Sequence, residues 1–313
     1  MPTPKIWRDG QFVEWPDATI HVLSHVIHYG SSVFEGIRCY ETPTGGAVFR
    51  LQEHIRRLHD SARIYRIPLR HSVDTLVQGC LDSIAVNELE ECYIRPIVIR
   101  TGDRMGVLPE EKESAVETFI IVRQWGRYLG DDALQKGVDV CVSSWRRAAP
   151  DTFPSLAKAG GNYLNSTLSL LEARQNGYIE GIMLDSFGQI SEGSGENIFI
   201  VRDGVIFTPP ISAAILGGIT RDTVIRVARD LGHEVREQAL PREFLYMADE
   251  VFFSGTAAEI TPIRSVDRIQ VGEGVPGPIT RAVQDRYLGI AKGKIPDPYG
   301  WLTALPEPAV AAR

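Results

Sequence analysis

The sequence predicts an α+β fold in two domains, and three observations carry that prediction. Short runs of strand-forming residues recur with Asp-Gly turns between them, at Asp9-Gly10 and Asp203-Gly204. Among these runs lie apolar stripes at helical spacing, the clearest over residues 51–65. A stretch rich in glycine, aromatic and acidic residues, 124–132, then interrupts both patterns. At 313 residues the chain holds one large or two ordinary domains. The expected division is a small N-terminal α+β domain at 1–123, a connection at 124–135 and a large C-terminal domain at 136–313.

Lys5 to Val13 reads as a hairpin about Asp9-Gly10. Thr19 to Val26 is expected as a short strand or a strand leading into a loop. The run to Tyr40 alternates as a strand and pairs with Ala47 to Leu51 across a Pro-Thr-Gly-Gly turn. Gln52 to Tyr65 is a helix, because Leu51, Ile55, Leu58, Ala62 and Tyr65 fall on one face. Ser72 caps a second helix whose inward residues are Val73, Leu76, Val77, Cys80, Leu81 and Ile84. Cys92 to Ile99 is a strand with Tyr93, Arg95 and Ile97 on one face and Ile94, Pro96 and Val98 on the other. Thr118 to Val122 is another. Together these make two helices on a mostly antiparallel sheet. In the second half, strands are expected at Val138 to Ser144, Gly181 to Leu184, Ile198 to Val201, Val205 to Phe207 and Glu250 to Ser254. Helices are expected at Leu164 to Asn176, with Leu164, Leu168, Leu171 and Ala173 inward, at Arg221 to Leu231 with Thr220 as cap, and at Pro278 to Ile290. The chain beyond Leu305 is expected to be poorly ordered.

Composition narrows the function classes. An apolar content of 43% with 23% charged residues is that of a soluble globular protein, and a net charge of -7 argues against nucleic acid or an anionic membrane as partner. No run reaches the length of a transmembrane helix, and the N-terminus has no apolar segment for export, so the cytoplasm is expected. Cys39, Cys80, Cys92 and Cys141 form no CxxC pair, and His25 and His28 lack a third ligand. No metal site is expected.

One stretch carries chemistry. Between Ala148 and Tyr163 a single lysine, Lys158, stands between Ala157 and Ala159 and is followed by Gly160-Gly161. A Schiff-base nucleophile must be a neutral amine, and removing a lysine from water favours that form. Three other features handle anions: Arg57 beside the stripe of the first helix, the Gly-rich turn that delivers Thr220 to a helix start, and the small residues around Thr256 at a strand end. Glu192, in a glycine-rich turn, adds an acid, and Arg95 is unusual in so apolar a strand. Each feature alone has an ordinary reading, as a solvated lysine, a helix-surface arginine or a plain cap. Pyridoxal 5′-phosphate (PLP) accounts for the set. It has an aldehyde for a lysine, a phosphate for the anion ligands and a ring nitrogen that a carboxylate keeps protonated.

The motifs HVIHYGSSVFEGIRCY (25–40), FRLQEHIRRLHDSARIYRIP (49–68), YIRP (93–96), SSWRRAAPDTFPSLAKAGGNYLNS (143–166), ISEGSGENIF (190–199), GGITRD (217–222) and ADEVFFSGTAAEITP (248–262) closely resemble those of the branched-chain amino acid aminotransferases, of PLP fold type IV. The resemblance runs from about Ile6 to Trp301. It implies a D-amino acid aminotransferase-like fold, in which the large PLP-binding domain has a β-barrel-like core flanked by helices. It also implies cytoplasmic transamination of leucine, isoleucine and valine with 2-oxoglutarate in amino-acid biosynthesis. The products are branched 2-oxo acids and L-glutamate, by a ping-pong path through pyridoxamine phosphate. A homodimer or an assembly of dimers with shared active sites is implied as well.

By the same resemblance, Lys158 holds PLP and moves the substrate Cα proton. Glu192 pairs with the pyridine nitrogen and Tyr163 with the phenolic oxygen. Arg57, Ile219, Thr220 and Thr256 hold the phosphate. The N–H groups of Thr256 and Ala257, with the Tyr93 hydroxyl, receive the α-carboxylate. Tyr29, Phe34, Gly36, Val107, Trp125 and Tyr128 build an apolar pocket, some from the neighbouring subunit, and Arg95 meets the distal carboxylate of glutamate. The alternatives within the fold are a D-amino acid or R-amine transaminase or an aminodeoxychorismate lyase, which differ around Tyr29, Arg38, Tyr93 and Arg95. A silent PLP-binding module would not need both Lys158 and Glu192, and a cofactor-free Schiff-base lyase would not need the phosphate set.

Overall fold

Every backbone N–H and C=O that leaves water needs a partner, and in this chain two sheets and the helices packed on them supply such partners. The computed structural model describes residues 3–102, 104–110, 112, 115–124, 129 and 132–306. The chain packs as two units. One is Met1–Trp125, Ala157–Gly161 and Gly289–Arg313, and the other is Gly126–Leu156 and Asn162–Leu288. The break at 125/126 lies inside the expected connection, while the lysine segment and the C-terminal residues group with the first unit.

The first unit is built on an eight-stranded sheet. Seven strands lie in the order Leu302–Ala304, Gly45–Phe49, Ile37–Thr42, Cys92–Arg100, Val116–Arg123, Lys5–Arg8 and Gln11–Glu14, and Ser32–Phe34 also pairs with Cys92–Arg100. Every pairing is antiparallel. The first hairpin turns at Asp9-Gly10, with φ of 46° and 96°, the left-handed pair that a two-residue turn requires. Helices Leu51–Ile64 and Val73–Val86 bring Ile55, Leu58, Leu76, Cys80 and Ile84 against Ile94, Val98, Ile120 and Val122 of the sheet. Ser72 caps the second helix by accepting from Thr75 N at 3.1 Å. The expected strand at Thr19 to Val26 is absent. A helix, His25–Tyr29, ends there at Gly30 with φ 63°. Ile20 and Val26 pack on Ile6, Ile99 and Phe119, so their apolar spacing serves a cover on the sheet and not a further strand.

The second unit is a nine-stranded sheet, six of whose strands close on themselves. The ring runs Val138–Arg146, Glu180–Leu184, Ile190–Gly193, Asn197–Arg202, Glu250–Gly255, Glu259–Val266 and back to Val138–Arg146. Val138–Arg146 runs parallel to both neighbours, and the other pairings in the ring are antiparallel. Closure removes the free edges of these strands and matches the barrel implied by the resemblance. Asp203-Gly204, with φ of 50° and 77°, turns the chain into Val205–Thr208.

Helix Tyr163–Gln175 lies on Val138–Arg146 and Glu180–Leu184 with Ala173 buried as expected but its leucines turned the other way. Leu164 and Leu171 are 72% and 54% exposed, and Ser166, Ser169 and Ala173 face inward. A Cβ on Gly181 would lie 2.6 Å from Ser169 Oγ, so helix and strand approach too closely for leucine. Distance of approach, which period alone does not encode, chose the buried face.

Candidate active site

The first unit carries the lysine. Lys158 lies in an extended segment beside Ser32–Phe34. Its carbonyl accepts from Phe34 N at 3.0 Å, and Ala159 pairs with Val33. Its own N–H donates to Ser61 Oγ, 3.0 Å away on helix Leu51–Ile64. Ala157 and Ala159 are buried, and a Cβ on Gly160 would come within 2.3 Å of Ser32 Oγ. The small residues around Lys158 are therefore what lets the segment press onto the sheet. Lys158 Nζ stands 5.0 Å from the centroid of the Phe34 ring.

The same ring meets the Arg95 guanidinium at 4.6 Å. Arg95 also covers the Tyr93 ring at 5.2 Å and donates from Nη2 to Tyr93 Oη at 2.8 Å. Arg95 is only partly buried, its guanidinium is surrounded by a phenol and two ring faces, and its Nε is buried without a hydrogen-bond partner. Gly36 belongs to this group by necessity, since a Cβ there would lie 2.0 Å from Tyr93 Oη. Tyr29 and Val107 gather elsewhere, around His25. Tyr29 is 45% exposed with its ring 4.6 Å from that of His25, and the carbonyl of the 79%-exposed Val107 lies 3.1 Å from His25 Nε2. Trp125 and Tyr128, like residues 307–313, lie outside the described residues.

Arg57 sits on helix Leu51–Ile64, and its guanidinium grips Glu35 from two atoms, Nε to Oε1 at 2.7 Å and Nη2 to Oε2 at 2.8 Å. His54 Nδ1 reaches Glu35 Oε2 at 2.7 Å. Burial opposes ionisation of Glu35, but the Arg57 and His54 contacts outweigh it and hold its carboxyl well below the usual carboxylate range.

The second unit carries the acid. Glu192 is buried, and its Oε1 lies 3.0 Å from Arg147 Nη2. Its Oε2 accepts from Asn197 Nδ2 and Leu216 N, both at 3.0 Å. These donors fix the plane of the carboxylate. Arg147 Nε is in turn tied to the Ala214 carbonyl at 3.2 Å, and a Cβ on Gly218 would lie 1.9 Å from Asn197 Oδ1. The loop Ala214 to Gly218 thus clamps Glu192 and leads straight into helix Ile219–Asp230. The cap of that helix is Gly218, in an extended conformation (φ -67°, ψ 130°), and not Thr220, which is its second residue. The correction leaves Ile219 and Thr220 in the first turn, where backbone N–H groups lack intrahelical acceptors. Thr256 and Ala257 lie in the turn between Glu250–Gly255 and Glu259–Val266, and Tyr163 opens the helix Tyr163–Gln175.

Sequence reasoning passed over Glu35, His54, Arg147 and Asn197. A buried acid needs a cation, but which arginine supplies it is a matter of tertiary distance.

The description "Amino-transferase class IV" belongs to a family model that matches residues 32–266. The chain is 56% identical over 297 residues to the branched-chain-amino-acid aminotransferase of Escherichia coli (strain K12), covering 95% of this chain and 96% of that one. The crystal structure of the Escherichia coli enzyme superposes with a TM-score of 0.95 at 55% identity, over 97% of this chain and 100% of the other. A branched-chain amino acid aminotransferase from a second source, abbreviated T.th., was solved with pyridoxamine 5′-phosphate (TM-score 0.93, 43% identity, 98% and 100% covered). The same enzyme was also solved complexed with N-(5′-phosphopyridoxyl)-L-glutamate (TM-score 0.92, 42% identity, 98% and 100% covered).

Proposed function

The chain belongs to the class IV aminotransferase family, and from that premise we propose that it transfers the amino group of leucine, isoleucine or valine to 2-oxoglutarate with pyridoxal 5′-phosphate as cofactor. The products are branched 2-oxo acids and L-glutamate. The observation that carries the reading is the Phe34 ring, flanked by Lys158 Nζ at 5.0 Å and the Arg95 guanidinium at 4.6 Å. An apolar surface close to both a reacting amine and a cation suits an enzyme that must accept an aliphatic side chain and then a distal carboxylate.

The residues present fit the cofactor. Glu192, saturated by donors on Oε2 and paired on Oε1, is the acid a pyridine nitrogen needs, and the first turn after Gly218 and the Thr256 turn suit a phosphate. When bound, PLP supplies an electron sink for the bond broken at the substrate Cα. Lys158 Nζ holds the cofactor and moves the Cα proton. Glu192 would pair with the ring nitrogen, and Tyr163 with the phenolic oxygen. Arg57, Ile219, Thr220 and Thr256 bind the phosphate. Thr256 and Ala257 N–H groups, with the Tyr93 hydroxyl, orient the α-carboxylate, and Arg95 takes the distal carboxylate of glutamate. Phe34, Gly36, Tyr29, Val107, Trp125 and Tyr128 enclose the side chain and exclude water. The exposure of Tyr29 and Val107 supports their service to a neighbouring subunit, in a homodimer or an assembly of dimers. We place the enzyme in the cytoplasm; among the described residues no helix is long and apolar enough to cross a membrane.

A half-reaction panel tests the reading. The purified protein is mixed in turn with L-leucine, L-valine, L-glutamate, D-alanine and an R-amine, and the absorbance of lysine-bound cofactor is followed. Loss of colour with the branched-chain amino acids and L-glutamate is the expected result. Preference for D-alanine or the amine moves the enzyme to another branch, and a colourless protein that takes up no PLP removes the cofactor.

A further inference from the structure

We propose that Glu35, backed by His54, is a positioning residue that aims the Arg57 guanidinium at the cofactor phosphate. The inference rests on the reading that Arg57 binds that phosphate, and it adds the element that orients it.

Glu35 lies between strands Ser32–Phe34 and Ile37–Thr42 and has no accessible surface. Its carboxylate takes the Nε and Nη2 atoms of Arg57 at 2.7 and 2.8 Å, the parallel two-point geometry of the guanidinium fork. His54 stands three residues before Arg57 on the same helix and contacts Oε2 at 2.7 Å. A carboxylate only accepts, so His54 carries its proton on Nδ1. Gly36 N adds a longer contact to Oε2 at 3.3 Å.

This arrangement is costly unless it does something. A buried ion pair recovers its desolvation only with good geometry, and an apolar pair of the same volume usually holds a fold as well. What the pair adds is direction. An arginine stem has several rotatable bonds, and an unheld guanidinium must be ordered each time an anion binds. Pairing along the Nε–Nη2 edge fixes the plane of the guanidinium and thereby the direction in which Nη1 points. The helix that carries His54 and Arg57 also carries Ser61, whose hydroxyl holds the Lys158 N–H at 3.0 Å. One rigid helix therefore sets Arg57 and the backbone of Lys158 together, with Glu35 fixing the one flexible part.

A positioning role and a structural one differ in what they do to a ligand without a phosphate. Full-length protein freed of cofactor is titrated with PLP and with pyridoxal, which lacks the phosphate, and thermal melting is recorded beside each titration. Glu35→Gln is expected to weaken PLP about tenfold or more and leave pyridoxal within about twofold. His54→Met keeps the Glu35–Arg57 pair but removes one donor, so a loss of about threefold, again for PLP alone, is expected. If Glu35→Gln does not fold, His54→Met carries the test. Arg57→Met reports on the underlying reading: unchanged PLP affinity there means that Arg57 is no phosphate ligand. If Arg57→Met weakens PLP while the Glu35 and His54 variants spare it, or weaken PLP and pyridoxal alike, the pair is structural and the proposal is overturned.

Discussion

Arg147 Nη2 lies 3.0 Å from Glu192 Oε1 inside the second unit, with both side chains at least nine-tenths buried. Removing one partner of such a pair leaves the other charge uncompensated, at a cost of about 3–5 kcal/mol. Arg147→Met is therefore expected to lower the urea midpoint markedly. The double variant Arg147→Met/Glu192→Gln, which leaves no buried charge, recovers most of the loss. A single variant as stable as the wild type would show that the carboxylate does not depend on Arg147.

Gly218 admits no side chain, because a Cβ there would lie 1.9 Å from Asn197 Oδ1. Asn197 Nδ2 in turn holds Glu192 Oε2 at 3.0 Å. Gly218→Ala is expected to displace Asn197, loosen Glu192 and weaken PLP about tenfold, or about 1.4 kcal/mol. Absorbance titration measures it. Unchanged affinity would mean that the loop yields and Asn197 stays in place.

By the proposed function, Arg95 is the residue that tells 2-oxoglutarate from a branched-chain amino acid. Its guanidinium has a buried Nε without a partner, and its other contacts are a phenol and ring faces. Arg95→Leu is expected to cut kcat/KM for 2-oxoglutarate about a hundredfold, or about 2.7 kcal/mol, while L-leucine changes by less than about threefold. Equal losses for both would assign Arg95 to packing instead of recognition.

His54 gives stability a pH dependence with a definite sign. Burial pushes His54 below its ordinary value of 6.5, against the pull of the Glu35 carboxylate and with the help of Arg57 and Lys158. The folded chain therefore binds this proton less readily than the unfolded chain. The contribution is fully present above pH 6.5 and is lost as the pH falls from there toward the lowered folded value. In that window the stability of the wild type falls by about 1.4 kcal/mol per pH unit from this group alone. His54→Gln is expected to show a slope shallower by that amount in urea melts. Identical slopes would mean that the buried imidazole titrates as it does in water.

The features legible from sequence were those whose causes are local. The Asp9-Gly10 and Asp203-Gly204 turns, the Ser72 cap and the stripe Ile55, Leu58 and Ala62 depend on neighbours within a few positions, and each stands where the pattern put it. Two patterns that depend on a partner element failed. Leu164 and Leu171 have helical spacing but face outward, since Ser169 must clear Gly181. Ile20 and Val26 have strand-like spacing but cover a sheet.

The amino-acid sequence by itself determined the family, the two-domain α+β class and the candidate residues Lys158, Glu192 and Arg57, because long motifs hold their residue types in a set order. Only the tertiary structure decided what holds those residues. Glu35 and Arg57 are 22 positions apart, and Glu192 and Leu216 are 24, yet each pair meets within 3.0 Å. A buried charge is tolerated only when its partners close around it. Those partners come from whichever strands, helices and loops the sheets bring near, which no local pattern encodes.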